Sequence, residues 1–402
     1  MSVDRPVVLA VTSQLPWPLN TGGHLRTFHL MCALAKRFEV RLVAGTTGPN
    51  EEGVAVLEGA GVRVRPVLLA PRKNWREGLR AVGAALRREP YVLYHRHNRA
   101  EVRAALQAEM QREPPDLIYL DHLDSAVFFR RHPGFPVALD LHNVYSLLVH
   151  READDRGGLT RRYLTREARL LGAAEKRAAR LADVLFSVSD LEAVHFRDLG
   201  ARAVHVVPNG VDCAAYASLP TGRRDSPPVI LYVGTMSWAP NAAAARFLAN
   251  QVLPRVRVKI PGAELWVVGK DPPPDLVALD GRPGVRVTGG VPSMQPYLRD
   301  ASALAVPLEA GGGTRLKILE AFAAGLPVVS TAVGCEGLRC VADEHLIVRG
   351  RDDFATALAL VLADPASGEA LAGRARQLAR GLYDWEAVGK LACDAIEAVA
   401  RA

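Results

Sequence analysis

Short runs rich in Val, Ile and Leu alternate with helix-like stretches almost from end to end, and this alternation constrains the fold more than any other feature. In the first half the strand-like runs are 7–13, 40–44, 62–69, 117–120, 137–141, 184–188 and 204–207. Helical stretches such as 25–36, 101–111 and the arginine-rich 159–181 separate them. A second series follows at 229–233, 265–268, 285–288, 303–307 and 328–330, and the chain is helical from Phe354 on. Strands separated by helices pair in parallel, with helices on both sheet faces. The class is therefore α/β, and 402 residues suffice for two doubly wound domains. Val207-Pro-Asn-Gly-Val-Asp212 and the Pro-, Gly- and Ser-rich stretch to Pro228 read as the junction and linker. Ligands in such folds bind at the carboxyl ends of the strands.

The most informative motif is Gly311-Gly-Gly-Thr-Arg-Leu-Lys-Ile-Leu-Glu-Ala-Phe-Ala-Ala-Gly-Leu-Pro-Val-Val-Ser-Thr331. Three glycines end a strand and open a helix, Gly325 stops that helix, and a buried strand follows. Backbone N–H groups and the positive helix end then converge on one spot, which favours an anion. Arg315 and Lys317 add full positive charge there, and Lys317 and Glu320, three residues apart, share a helix face. Ile318, Ala321 and Phe322 occupy the face that packs on the sheet. A cation for phosphate beside a carboxylate for a ribose diol describes a nucleoside diphosphate site. The plainer reading is a surface Lys317–Glu320 ion pair, but three successive glycines cost backbone entropy unless something must approach closely.

This segment resembles the donor-site signature of retaining glycosyltransferases of the GT-B type, family four, in which two glutamates stand eight positions apart. Glu320 matches the second and Gly312 stands at the first, and a branch of the family runs Gly-Gly-Gly-Thr-Arg-Leu-Lys as this chain does. The resemblance covers nearly the whole chain, most strongly 204–337 and most weakly 48–112. It implies two Rossmann-like parallel-sheet domains facing across a cleft. Residues 1–206 would form the acceptor-side domain and 207–384 the donor-binding domain. Asp384-Trp385-Glu386 resembles the start of a last helix, about 385–402, that packs back on the first domain.

The resemblance also assigns roles. Gly22 and Gly23, after the first strand, look like the loop that touches the donor phosphate or the acceptor. His142 and Asn143 follow the 137–141 strand, and His142 matches a histidine that contacts the donor sugar or its phosphate. His122 is a weaker candidate. In the loop after 229–233, where many relatives carry an Arg and a Lys, this chain has Thr235 and Asn241, with Asn241 read as a helix cap. Arg315 and Lys317 are the substitutes for those cations, assisted by the backbone of Gly311, Gly312, Gly313 and Thr314. Val291, in Thr288-Gly-Gly-Val291, sits where the backbone meets the nucleotide base. No Asp-x-Asp pair bridges a metal, so neither a metal nor another cofactor is expected beyond the nucleotide-sugar donor.

Composition sets the remaining bounds. Five cysteines without a Cys-x-x-Cys pair argue against a zinc site or a disulfide framework. No signal peptide and no run of eighteen apolar residues is visible, so a cytoplasmic chain is expected. The net charge is +7, and residues 61–112 alone hold 12 Arg or Lys against 4 Glu. Within that segment Trp75, Leu79, Val82 and Leu86 form a helical stripe among Arg72, Lys73, Arg76, Arg80, Arg87 and Arg88. Such a stripe is either the core face of a Rossmann helix or, in residues 72–88, a basic amphipathic surface for peripheral contact with the inner face of a membrane. No aromatic-interleaved basic platform accompanies it, so nucleic acid is not an expected partner. The expected function is transfer of a sugar from a nucleoside diphosphate sugar to a sugar, lipid-linked or small-molecule acceptor, in polysaccharide or glycolipid assembly. A sugar-nucleotide epimerase of the same fold, or a non-catalytic nucleotide-sugar-binding protein, would use the same residues.

Overall fold

The computed structural model describes residues 5–154, 156–217, 227–310 and 315–400. The chain forms two compact units, one of residues 1–209 with 388–402 and the other of 210–387. Each boundary falls a few residues beyond the position read from the sequence.

Unit 1 contains β1 (Val7–Thr12), β2 (Glu39–Thr46), β3 (Val62–Leu68), β4 (Leu117–Asp121), β5 (Val137–Leu141), β6 (Val184–Ser187) and β7 (Val204–Val206). They form one parallel sheet in the order β3-β2-β1-β4-β5-β6-β7. β4 and β5 are buried along their whole length, which is why they read as mostly apolar runs. β3, at the sheet edge, alternates Val and Arg and is largely exposed.

Unit 2 repeats the plan with β8 (Val229–Val233), β9 (Glu264–Val268), β10 (Val285–Val287), β11 (Ala303–Val306), β12 (Val328–Ser330) and β13 (Ile347–Val348). Its parallel order is β10-β9-β8-β11-β12-β13. The two-residue β13 had no signal in the sequence. In both sheets the winding reverses beside the first strand, between β1 and β4 and between β8 and β11. Loops leaving those strands diverge there, and the crevice between them is where open sheets bind ligands.

Close backbone approaches hold these elements. The Leu316–Ala324 helix ends at Gly325, whose φ of 71° is left-handed. A Cβ on Gly325 would also meet the Arg376 guanidinium at 2.4 Å, where Arg376 closes the helix by donating to the Ala324 carbonyl. The last helix, Trp385–Ala400, enters unit 1 at Val388. There it lies on the Gly22–Ala35 helix, with Cys393 against the Ala33 carbonyl and Arg37 paired to Asp394 at 2.7 Å. Gly389 allows this contact, because a Cβ there would stand 2.4 Å from Ala33 Cβ. Gly389→Ala should therefore lower stability by ~1–3 kcal/mol through overpacking. Thermal unfolding that matched wild type would show that the contact is not as tight as described.

Candidate active site

In unit 1 the site grows from the loops that leave β1, β4 and β5. Thr21 caps the Gly22–Ala35 helix by accepting from the His24 amide, so the helix begins at Gly22, three residues before the stretch read from the sequence. One turn in, Arg26 is fully buried and grips Asp140 of β5, with Nε 2.9 Å and Nη2 2.6 Å from the carboxylate oxygens. Its remaining nitrogen donates to the Pro208 carbonyl at 3.0 Å and to Asn209 Oδ1 at 3.1 Å. Tyr119 donates to Asp140 at 3.0 Å. Asp121, at the end of β4, accepts from Thr12 at 2.8 Å and from Thr27 at 3.0 Å.

His142 completes the network. Its Nε2 donates to Asp121 at 3.2 Å and lies 3.3 Å from Asp140. Burial disfavours its charge, but Asp140 and Asp121 outweigh burial and raise its pKa to about 9. The ring is therefore an imidazolium at neutral pH. Its Nδ1 is buried without a hydrogen-bond partner among the described residues. Gly23 lies beside that nitrogen, which would be 3.8 Å from a Cβ there. An unpaired N–H beside a glycine at a helix N-terminus is arranged to meet an acceptor atom from outside the chain. Asp121, Asp140 and His142 do bring ligand-type atoms within 4.8 Å of one another, the spacing of a metal site. Arg26 and the imidazolium already balance the two carboxylates, and Thr12, Thr27 and Tyr119 occupy their oxygens.

His122 has an unusual φ of 74° and stacks edge-on against His142 at 4.6 Å, with its ring held by Tyr145. Burial and the charge of His142 lower its pKa, so it stays neutral beside the imidazolium. Asn143 is half-buried and bonds Tyr145. Nearby, Ser13, Trp17, His24, Thr46, His97 and Arg99 line a cavity of about 380 Å³ at the carboxyl ends of β1 and β2.

In unit 2 the site forms at the reversal between β8 and β11. Lys317, in the first turn of the Leu316–Ala324 helix, donates to Asn241 Oδ1 at 3.2 Å, and its ammonium stands 4.9 Å from the Tyr232 ring centre. Tyr232 donates to the same Asn241 oxygen at 2.9 Å. Asn241 Nδ2 donates to the Thr235 carbonyl at 3.0 Å, which folds the β8 loop over the helix. The cap expected of Asn241 is thus a correction: it lies within the Ala239–Phe247 helix, where Trp238 is the capping residue. Lys317 and Tyr232 have recruited the side chain that would otherwise cap. Burial and neighbouring Arg315 lower the Lys317 pKa to about 7, with Glu320 pulling the other way. Arg315 is itself buried and donates to the Val333 carbonyl at 3.0 Å.

Glu320 accepts from Tyr216 at 3.3 Å, and burial raises its pKa. Lys317 and Glu320 therefore take separate partners and form no ion pair with each other among the described residues. Tyr216 belongs to the Cys213–Ala217 helix, inside the stretch read as linker, so the first part of that stretch is structured and contributes to the site. Thr235 is exposed and Val291 half-buried against the unit 2 core. The predicted Gly311, Gly312, Gly313 and Thr314 lie outside the described residues.

Of the residues singled out in the sequence, the structure brings Lys317 against Asn241, with Arg315 and Glu320 nearby, and sets Gly23 beside His142. Sequence reading missed Arg26, Asp121, Asp140, Tyr119, Tyr216 and Tyr232. Two of these carried a signal: Arg26 shares the apolar face of Leu30 and Leu34, and Asp140 interrupts the run Val137-Ala-Leu-Asp-Leu141. Gly269 carried another, as it follows β9 directly; a Cβ there would strike the Gly234 carbonyl oxygen at 1.7 Å.

Comparison with known proteins places this arrangement. Residues 21–210 match the glycosyl transferase 4-like domain, and residues 227–364 match the glycosyl transferases group 1 domain. Between them the two matches take in most of the chain, and the chain belongs to the group 1 glycosyl transferases. A D-inositol 3-phosphate glycosyltransferase of Kribbella flavida is 35% identical over 250 residues, 54% of this chain and 57% of the relative. A glycogen synthase of Mycobacterium tuberculosis is 28% identical over 201 residues, 47% of each chain. The chain spans about half the length of the curated relatives it matches. Among solved structures, Anabaena HepE in complex with UDP-glucose is 15% identical with a TM-score of 0.65, over 98% of this chain and 99% of its own. Both units thus have the fold of GT-B glycosyltransferases, two Rossmann-like parallel-sheet domains.

The charge on His142 is open to direct measurement. Its ring should titrate near 9 by NMR, and Asp121→Asn should move that value down by removing a carboxylate that favours the imidazolium. A value near that of a free histidine would mean that the carboxylates do not govern it.

Proposed function

We propose that this chain is a retaining, metal-independent glycosyltransferase that moves a sugar from a nucleoside diphosphate sugar to an acceptor hydroxyl. The observation that carries this reading is the meeting of Arg315, Lys317 and Glu320 at the winding reversal of the unit 2 sheet. Lys317 is half-buried and held by a neutral oxygen and an aromatic ring, so a bound anion would stabilise its charge. A diphosphate would supply that anion, with Glu320 accepting from a ribose hydroxyl. Membership of the group 1 glycosyl transferases supports the reading, as does UDP-glucose in the HepE complex.

In the proposed reaction the anomeric C–O bond breaks and its electron pair passes to the diphosphate. Arg315 and Lys317 stabilise the charge that builds there, taking the part a divalent ion plays in other sugar transfers. The departing phosphate oxygen receives the proton of the acceptor hydroxyl as the new bond forms on the same face. The His142 imidazolium orients the donor sugar through its free Nδ1–H. The 380 Å³ cavity beside Trp17 and Arg99 is the proposed acceptor pocket. A lipid-linked acceptor, in polysaccharide or glycolipid assembly, would place the enzyme at the inner face of a membrane.

Lys317→Ala should reduce kcat by roughly 10²–10³ while leaving the fold intact, the usual effect of losing one preorganised donor; wild-type turnover would remove Lys317 from the leaving-group role. Glu320→Gln should raise KM for the donor more than it lowers kcat. UDP, GDP, ADP and dTDP should be compared by thermal shift, because a ligand at 100 times its Kd adds ~2.7 kcal/mol. No shift with any of them would remove the donor assignment.

Proton linkage gives an independent check. Lys317 has a pKa of about 7 without ligand, and a diphosphate raises it. Binding of a nucleoside diphosphate sugar should therefore take up protons near pH 8 and weaken as pH rises above 7. Calorimetry in buffers of different ionisation enthalpy measures that uptake, and identical heats in all buffers would contradict the proposed contact.

A further inference from the structure

The stripe of Trp75, Leu79, Val82 and Leu86 does not face the core. In the Asn74–Leu86 helix these side chains are 59%, 63%, 59% and 82% exposed, and Ala84 is the only buried residue of the helix. At 100° per residue all four fall within ~60° of arc, with Arg76 and Arg87 flanking them on one side. The opposite side is tied down by arginine. Arg72 donates to the carbonyls of Arg96 and Asn98 at 3.0 and 3.2 Å, and Arg80 to those of His95 and Asn98 at 3.1 Å each. The helix is therefore held with its apolar face outward.

An arginine-lined cavity lies at each end of this helix. The first, about 510 Å³, is bordered by Arg72, Arg76, Arg80, Arg99 and Arg103, with Glu101 as its acidic residue. The second, about 560 Å³, begins at Arg87, the residue that caps the helix, and is lined further by Arg130, Arg131, Arg177, Arg180 and Arg202. Arg130 pairs with Glu89 at 3.1 Å and Arg202 with Asp183 at 2.6 Å. Arg87, Arg131, Arg177 and Arg180 have no carboxylate partner among the described residues. This second cavity borders the amino ends of β5 and β6, where Asp183 binds the Val137 amide. His142 stands at the opposite, carboxyl end of β5, so the cavity is separate from the candidate active site.

We propose that this face of unit 1 docks on an anionic phospholipid bilayer, with the stripe in the headgroup layer and lipid phosphates in the two arginine-lined cavities. The inference deepens the proposed placement of the enzyme at a membrane. A bilayer is the occupant that satisfies both halves of the surface. Apolar side chains enter the boundary between headgroups and acyl chains, with Trp75 at the depth where indole rings settle. Planar guanidinium groups match phosphate oxygens in pairs, and each basic residue near an anionic surface strengthens binding roughly fivefold. A nucleic acid would use the arginines but leave Leu79, Val82 and Leu86 in water. A second copy would bring like charges together. Among the described residues no single helix is long and apolar enough to cross a membrane, so the contact proposed is peripheral.

The test is co-sedimentation of the full chain with vesicles, without donor or acceptor, so that a failure of sugar transfer leaves it unaffected. Binding should be strong to vesicles of equal parts phosphatidylglycerol and phosphatidylcholine, weaken with salt, and be absent on phosphatidylcholine alone. Leu79→Ser with Leu86→Ser should reduce affinity at least tenfold, and so should Arg177→Gln with Arg180→Gln. All four positions are exposed and outside the donor site, so both variants should melt and bind nucleoside diphosphates as wild type does. No binding to the anionic vesicles would overturn the proposal. So would anionic binding that the Leu79/Leu86 variant retains in full, since the stripe would then take no part. Tighter binding to a single-stranded oligonucleotide than to the vesicles, unaffected by loss of the stripe, would make the surface one for nucleic acid instead.

Discussion

The fully buried pair of Arg26 and Asp140 is the interaction on which unit 1 is built. Neither charge could stay inside the unit alone, and removing one partner of such a pair typically costs ~3–5 kcal/mol. The pair joins the Gly22–Ala35 helix to β5, and through Pro208 and Asn209 it also reaches the last residues before the chain leaves the unit. Its effect extends to His142, whose charge exists because Asp140 and Asp121 stand beside it. One interaction thus holds a helix, a strand and a turn together and helps set the protonation of His142.

Unit 2 solves the opposite problem. Here two cationic side chains, Arg315 and Lys317, are gathered at the reversal between β8 and β11. Asn241 holds Lys317 with a neutral oxygen, and Tyr232 faces it with a ring, so the ammonium is positioned without being neutralised. Arg315 then repels it. Burial and Arg315 together depress the Lys317 pKa. The Tyr216–Glu320 bond keeps the nearby carboxyl oriented without drawing it into an ion pair with Lys317. In unit 1 the charges match, which suits a positioning role. In unit 2 Lys317 is held by a neutral oxygen and a ring instead.

The unit 2 cluster was legible because a helix brings residues three apart onto one face: Lys317 and Glu320 needed only their spacing, and Gly325 marked where the helix stops. His142 was legible from its place just past a strand. Its partners were harder to see, because Asp121 and Asp140 come from different strands and meet only once β4 and β5 pair in register. Asn241 was misassigned for a related reason. A local rule favours it as a cap, and a long-range partner, Lys317, took the side chain instead. Tyr216 was hidden in a stretch whose Pro, Gly and Ser content reads as linker.

The amino-acid order by itself determined the α/β class, two parallel-sheet domains and a cationic motif after β11, since these follow from periodicity, glycine placement and neighbours a few residues apart. It also showed that the 75–86 stripe was apolar and flanked by arginine, but either side of a Rossmann helix could have carried that pattern. Only tertiary structure decided that the stripe faces outward, that Arg26 and Asp140 neutralise each other, and that His142 carries a proton. Those properties depend on burial and on contacts between residues tens to hundreds of positions apart, where desolvation and Coulomb energies replace local propensity as the governing terms.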